Sequence, residues 1–204
     1  MSWRAATSVL LRRGADSREG RMIGIAALVG LGAAAVVTSL TFAPGFSGWF
    51  GAALALLTLA IAVIDARSFL IPNELSLAVF ALALVSTAVG APEGAMTGVA
   101  FAILRACVLG LAFFALREVY YRWRGREGIG FGDVKLAAAG GAWLDWPMMP
   151  VAVEIAALAA IAAYLLVQSA GRRRIDASER LPFGLFLAPA IWLGWLIQTG
   201  NFGF

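Results

Sequence analysis

From Met22 to Ala43 the chain runs for 22 residues without one charged side chain. Such a run is too long for a signal-peptide core and matches the roughly 20 residues that a helix needs to cross a bilayer, so it is expected to stay in the protein as a span. Comparable runs recur along the chain. After a Pro44-Gly45 turn comes Phe46 to Ile64, ending on Asp65. Leu75 to Ala91 follows the polar connection Asp65 to Glu74, and Met96 to Leu116 follows a short link holding Pro92 and Glu93. A fifth run opens at Asp133, a sixth finishes near Gln168, and Leu181 to Gln198 is the last. The pattern predicts an all-α, polytopic membrane helix bundle of about seven transmembrane helices. A basic segment, 1–21, precedes one membrane-embedded domain, 22–204. With 61% hydrophobic and 14% charged residues, the composition is far from soluble usage.

The fifth run is the awkward one, because Trp146, Pro147 and Pro150 all suggest breaks. Stopping at Trp146 leaves a helix of roughly 20 Å, short of a hydrocarbon core of about 30 Å. Either the helix continues to Met149 or Asp133 lies below the membrane surface. Between the fourth and fifth runs, Arg117 to Gly132 reads as the longest internal loop. Its Tyr120, Tyr121 and Trp123 are placed like an interfacial aromatic belt.

Orientation follows from the basic residues. With a cytoplasmic N-terminus, the four cytoplasmic segments hold 5, 1, 4 and 4 arginines, which is 14 of the 16 basic residues, Arg105 and Lys135 being the others. The outer loops then carry only Glu93 and Asp145, a clean positive-inside pattern. The net charge of +4 is explained by this lipid orientation, and no nucleic acid partner is expected. Counting spans also puts Asp65 and Asp133 on one side of the membrane.

A single cysteine, Cys107, and the lack of histidine exclude disulfides, zinc clusters, Ser-His-Asp triads and Cys-His dyads. Chemistry must then rest on carboxylates, lysine, arginine, tyrosine or hydroxyls, with no cofactor and no metal. Asp133 closes Gly128-Ile129-Gly130-Phe131-Gly132-Asp133 at the entrance to an apolar run, where glycines permit close backbone approach. Taken singly, Asp133 could be a helix N-cap and Asp65 a helix end. Taken together, two neighbouring carboxylates share one proton, so one can accept a proton from water while the other polarises a carbonyl. The glycine run is no phosphate loop, because no strand precedes it and its spacing is wrong.

Asp65-Ala66-Arg67-Ser68-Phe69-Leu70-Ile71-Pro72-Asn73 and Gly130-Phe131-Gly132-Asp133-Val134-Lys135-Leu136 resemble the two signature motifs of the type IV prepilin peptidases, bacterial GxGD intramembrane aspartyl proteases. Gly140-Gly141-Ala142-Trp143-Leu144 and Leu181-Pro182-Phe183-Gly184 also resemble that family's sequence, and the similarity covers about Phe46 to Trp195. The resemblance implies that Asp65 and Asp133 are a catalytic dyad, with Gly130, Gly132, Lys135, Pro72 and Asn73 shaping the site or binding substrate. It implies prepilin or pseudopilin substrates, cut between a short basic leader and a hydrophobic helix at the cytoplasmic face of the bacterial inner membrane. Bifunctional members carry an insert with paired Cys-x-x-Cys motifs, associated with methylating the new N-terminus. Here the first two runs are joined by two residues and those cysteines are lacking, so the resemblance points to a peptidase-only form.

Other polar residues invite plainer readings. Arg105 and Glu154 could pair across the fourth and sixth spans if the fifth does not intervene. Lys135 points about 200° from Asp133 on a helix and is expected to reach lipid phosphate or the loop, with a site role left open by the resemblance. The alternative function is a proton-coupled transporter or channel, which would want acids at several depths; only Glu154 offers one.

Overall fold

The computed structural model describes residues 18–125, 128–171 and 182–200. Most of the expected basic N-terminal segment, and the loop arginines Arg126, Arg172, Arg173, Arg174 and Arg180, lie outside the described residues. Among the described residues there are seven α-helices, one 3₁₀ turn and no strand. The helices are α1 (Arg18–Phe42), α2 (Phe46–Ser68), α3 (Asn73–Gly90), α4 (Ala95–Arg124), α5 (Phe131–Trp143), α6 (Met148–Gly171) and α7 (Gly184–Thr199). Five, namely α1 to α4 and α6, are long and apolar enough to cross a membrane. The other two are shorter, at 13 residues for α5 and 16 for α7.

Two boundaries differ from the sequence expectation, and a third that it left open is decided. The supposed loop from Arg117 is mostly helix, because α4 continues to Arg124 and stops only where Gly125, at φ 64°, donates its N–H to the Tyr121 carbonyl at 2.8 Å. Arginine is a good helix former, and Arg122 pairs with Glu118 one turn back at 2.8 Å, so the helix outlasts the apolar pattern that marked it. At the other end of that loop, α5 begins at Phe131, not at Asp133. Finally, α5 ends at Trp143, which selects the short helix of the two lengths left open by the prolines.

A 13-residue helix is about 20 Å long, too short to face lipid alone. It has no need to, because α3, α4 and α7 pack around it. Nine of its residues are buried, and Ala137, Ala139, Gly140, Gly141 and Ala142 are the small side chains that let neighbouring backbones approach closely. A Cβ on Gly141 would stand 2.7 Å from the Arg105 carbonyl oxygen, so α4 and α5 touch backbone to backbone there. Trp143 anchors the far end, donating its indole N–H to the Val79 carbonyl at 2.8 Å.

Below the membrane boundary, backbone groups left free at a helix end must find partners inside the protein. Gln198 of α7 supplies two, donating to the Trp143 carbonyl at 2.8 Å and accepting from the Asp145 N–H at 3.0 Å. The Asp145 carboxylate pairs with Arg105 at 3.3 Å. Arg105 therefore does not pair with Glu154, which is exposed on α6, because α5 occupies the space beside that stretch of α4.

Candidate active site

Because consecutive helices alternate in direction, α2 and α4 end, and α3, α5 and α7 begin, at the same end of the bundle. Asp65 sits in the last turn of α2, four residues before its C-cap. That cap is Phe69, whose φ of 57° makes it the one described non-glycine residue in the left-handed region, and whose N–H donates to the Asp65 carbonyl at 2.9 Å. Such a residue costs roughly 1 to 2 kcal/mol, and here it reverses the chain sharply enough for Ile71 and Pro72 to turn back beneath the dyad. The Asp65 carboxylate faces inward. Its Oδ2 accepts the Leu185 N–H at 2.9 Å, and the Gly184 amide of the same helix N-terminus also acts on it.

Asp133 lies at the third position of α5. Gly130 is the N-cap, and the Asp133 N–H closes the first turn on the Gly130 carbonyl at 3.1 Å. The carboxylate folds back to accept the Gly130 N–H at 3.2 Å. Asp133 is thus not the N-cap that its sequence position allowed, although it does satisfy one of the free donors at that helix end. Its charge interacts directly with Asp65, and the Gly184 amide acts on both.

Burial separates these two from every other acid whose side chain is described. Asp65 is 4% exposed and Asp133 9%, and they are the only buried charged residues described. Burying a carboxylate costs several kcal/mol unless it is paired, hydrogen bonded or protonated, and here each of the two accepts a backbone N–H. Among the described residues no three of His, Cys, Asp and Glu converge, so this pair offers acid–base chemistry.

The remaining expected residues divide into a floor and a rim. Gly132 lies against Ile71, which a Cβ would meet at 3.1 Å. Pro72 caps α3 and accepts the Ser76 N–H at 3.2 Å, which fixes the start of that helix. Lys135 turns away from the dyad and donates to the Asn73 side-chain oxygen at 2.7 Å, with its ammonium 4.7 Å from the centre of the Phe131 ring. Its partner is thus at the start of α3 and not lipid phosphate or the loop before α5, and the bond ties the segment after Asp65 to the segment bearing Asp133.

Three residues beside the dyad were not singled out from sequence: Ile71, Gly184 and Leu185. Gly184 has no room for a side chain, since a Cβ would lie 2.8 Å from Asp65 Oδ2 and 2.6 Å from Ile71 Cδ1. The signal for it was present in Pro182-Phe183-Gly184, a proline and glycine at the opening of an apolar run. What could not be seen was that this opening is folded against Asp65.

The family model described as the type IV leader peptidase family matches residues 52–166. Among curated proteins, the prepilin leader peptidase/N-methyltransferase of Burkholderia pseudomallei (strain 1026b) is 36% identical over 162 residues, 77% of this chain and 49% of that protein. The protein of the same name from Pectobacterium carotovorum subsp. carotovorum is 32% identical over 166 residues, 81% of this chain and 57% of its own. That of Pseudomonas aeruginosa PAO1 is 33% identical over 160 residues, with 74% and 51% covered. The chain spans about half the length of the curated relatives it matches. No solved structure matches it.

Proposed function

The chain belongs to the type IV leader peptidase family, and from that premise we propose that it is a membrane aspartyl endopeptidase that removes the short basic leader of prepilins or pseudopilins. The observation that carries this reading is the burial of both Asp65 and Asp133, 68 positions apart in sequence, at one end of the bundle and near enough for their charges to interact. With the orientation given by the arginines, that end faces the cytoplasm, and the membrane is the bacterial inner membrane. The curated relatives are named for two activities. This chain joins α1 to α2 through Ala43, Pro44 and Gly45 and has one cysteine, so only the peptidase activity is proposed.

The dyad holds one proton. The ionised carboxylate takes a proton from a water whose oxygen attacks the scissile carbonyl carbon, while the protonated carboxyl gives its proton to the carbonyl oxygen. The resulting tetrahedral diol collapses as the carboxyl that took the water's proton gives one to the amide nitrogen and the other carboxylate takes one from a diol hydroxyl. The C–N bond then breaks, leaving a new carboxyl terminus and a new amine, and the pair again holds one proton. Backbone amides from Gly130 and Leu185 hold the two carboxylates in place from opposite sides, so little rearrangement accompanies the proton transfers. A proton relay for transport is the weaker reading, because among the described residues no third buried acid continues a path from the dyad.

The test is cleavage of a synthetic peptide, a basic leader followed by a leucine-rich segment, by the purified protein in detergent. Asp65→Asn and Asp133→Asn each preserve shape and remove the titrating group, and each is expected to lower turnover by at least about 100-fold without loss of insertion or thermal stability. Near wild-type cleavage by either variant would remove the dyad from the reaction.

A further inference from the structure

Beside Asp133, a cleft of about 670 Å³ lies between α3, α4 and α5. Leu77 and Phe80 of α3 form one wall, and Ile103, Leu111 and Phe114 of α4 the other. Leu77, Ile103, Leu111 and Phe114 are also exposed on the outside of the bundle, so the cleft opens sideways toward the bilayer. At its base Gly110 of α4 packs against Ala138 of α5, so the floor of the cleft is the seam between those two helices. The polar lining gathers at one end, where Asn73, Ser76 and Lys135 stand on the first turns of α3 and α5, level with Asp133. The stretch of α4 that lines it, Ile103 to Phe114, is about 16 Å long, or about three helical turns.

We propose that this cleft receives the apolar helix of the peptide being cut, its polar start at the Asn73–Lys135 end and its scissile bond over the dyad. The proposal rests on the peptidase reading and names where the substrate sits. Lipid chains would be indifferent to direction along the cleft. An apolar helix with a polar start is not, because Asn73, Ser76 and Lys135 stand at only one end of an otherwise apolar lining. The occupant must also enter from the side, because its helix is already in the membrane, and the exposed edges of α3 and α4 leave that side open. The Lys135–Asn73 hydrogen bond lies at the polar end of the cleft.

The protein contains its own probe. Cys107, the only cysteine in the chain, is exposed and lines the cleft, whereas its neighbour Val108 is exposed on α4 but does not. Alkylation of Cys107 in the wild-type protein with a bulky maleimide is expected to lower kcat/KM for the leader peptide at least about tenfold, mostly through KM, while Cys107→Ala is unaffected by the reagent. In Asp133→Asn, which holds peptide uncut, saturating peptide should protect Cys107 from alkylation. Val108→Trp serves as the lipid-facing control and should cleave at the wild-type rate. Cleavage within twofold of normal by fully alkylated protein, or no protection by the peptide, would show that lipid and not substrate fills the cleft. If the untreated protein does not cut the peptide at all, it is the peptidase reading that fails, and protection of Cys107 still reports whether the helix binds there.

Discussion

At the residue scale the site is a matter of where two carboxylates are allowed to point. Asp65 has almost no freedom, since its Oδ2 is held by the Leu185 amide and Gly184 fills the space beside it. Gly184→Ala would put a methyl group 2.8 Å from that oxygen. The opposing contact, Ile71 Cδ1, is the flexible end of a side chain and can yield, whereas the carboxylate can move only by giving up its amide bond. A displacement of about 1 Å in a positioned site costs on the order of 100-fold in rate, so Gly184→Ala should lose most peptide cleavage while remaining folded. Gly130→Ala is the milder comparison. Its φ of −71° suits any residue, and the new Cβ would lie 3.3 Å from Asp133 Oδ2, a distance that small shifts can absorb. Turnover of the two variants on the same peptide checks this order, and equal activities would show that Gly184 does not position Asp65.

At the scale of the element, α5 is a short helix that works because it is surrounded. Glycines inside a helix each cost roughly 0.5 to 1 kcal/mol relative to alanine, so Gly140 and Gly141 need a compensating reason. The reason differs between them. A Cβ on Gly140 would meet Ile191 Cδ1 at 2.7 Å and Cγ1 at 2.8 Å, a buried side chain that must shift within the core. A Cβ on Gly141 would meet the Arg105 carbonyl oxygen at 2.7 Å and Ala106 Cα at 3.0 Å, and backbone of a packed helix cannot step aside alone. Gly141→Ala should therefore push α5 from α4 and destabilise by about 1 to 3 kcal/mol, while Gly140→Ala, which displaces one side chain and no backbone, should cost less. Thermal unfolding in detergent measures the order. The same reversal of α5 at Trp143 explains Arg105, whose partner Asp145 lies just past that helix end.

At the scale of the whole molecule the arrangement is an alternation of helices whose ends sort by charge. Reporter fusions after Gly90 and Asn201 should read outside and one after Arg174 inside, since arginine-rich connections stay in the cytoplasm. A fusion at Asn201 that reads inside would mean that α5 or α7, the two short helices, does not cross. The shared end of α2 and α5 would stand even then, because the even number of crossings between Asp65 and Asp133 is made by α3 and α4.

What the sequence determined by itself was the all-helical membrane class, the run of apolar segments and the placing of both aspartates at one end of the bundle. Transfer of a run of apolar residues into lipid is a sum of local terms, and the arginine bias is likewise a property of each connection, so both can be read without knowing any contact. The same locality explains the errors. Apolar runs mark where a helix must be buried, not where it stops, so α4 was cut short at Leu116 and α5 was begun at Asp133. Only the tertiary structure decided that the Asp65 carboxylate is held by amides 120 residues further on, that Arg105 meets Asp145 and not Glu154, and that Lys135 binds Asn73. Those pairings depend on how closely helices approach and at what rotation. That is fixed by interlocking small residues such as Gly141 and Gly184 across helices, and no stretch of sequence contains both sides of such a contact.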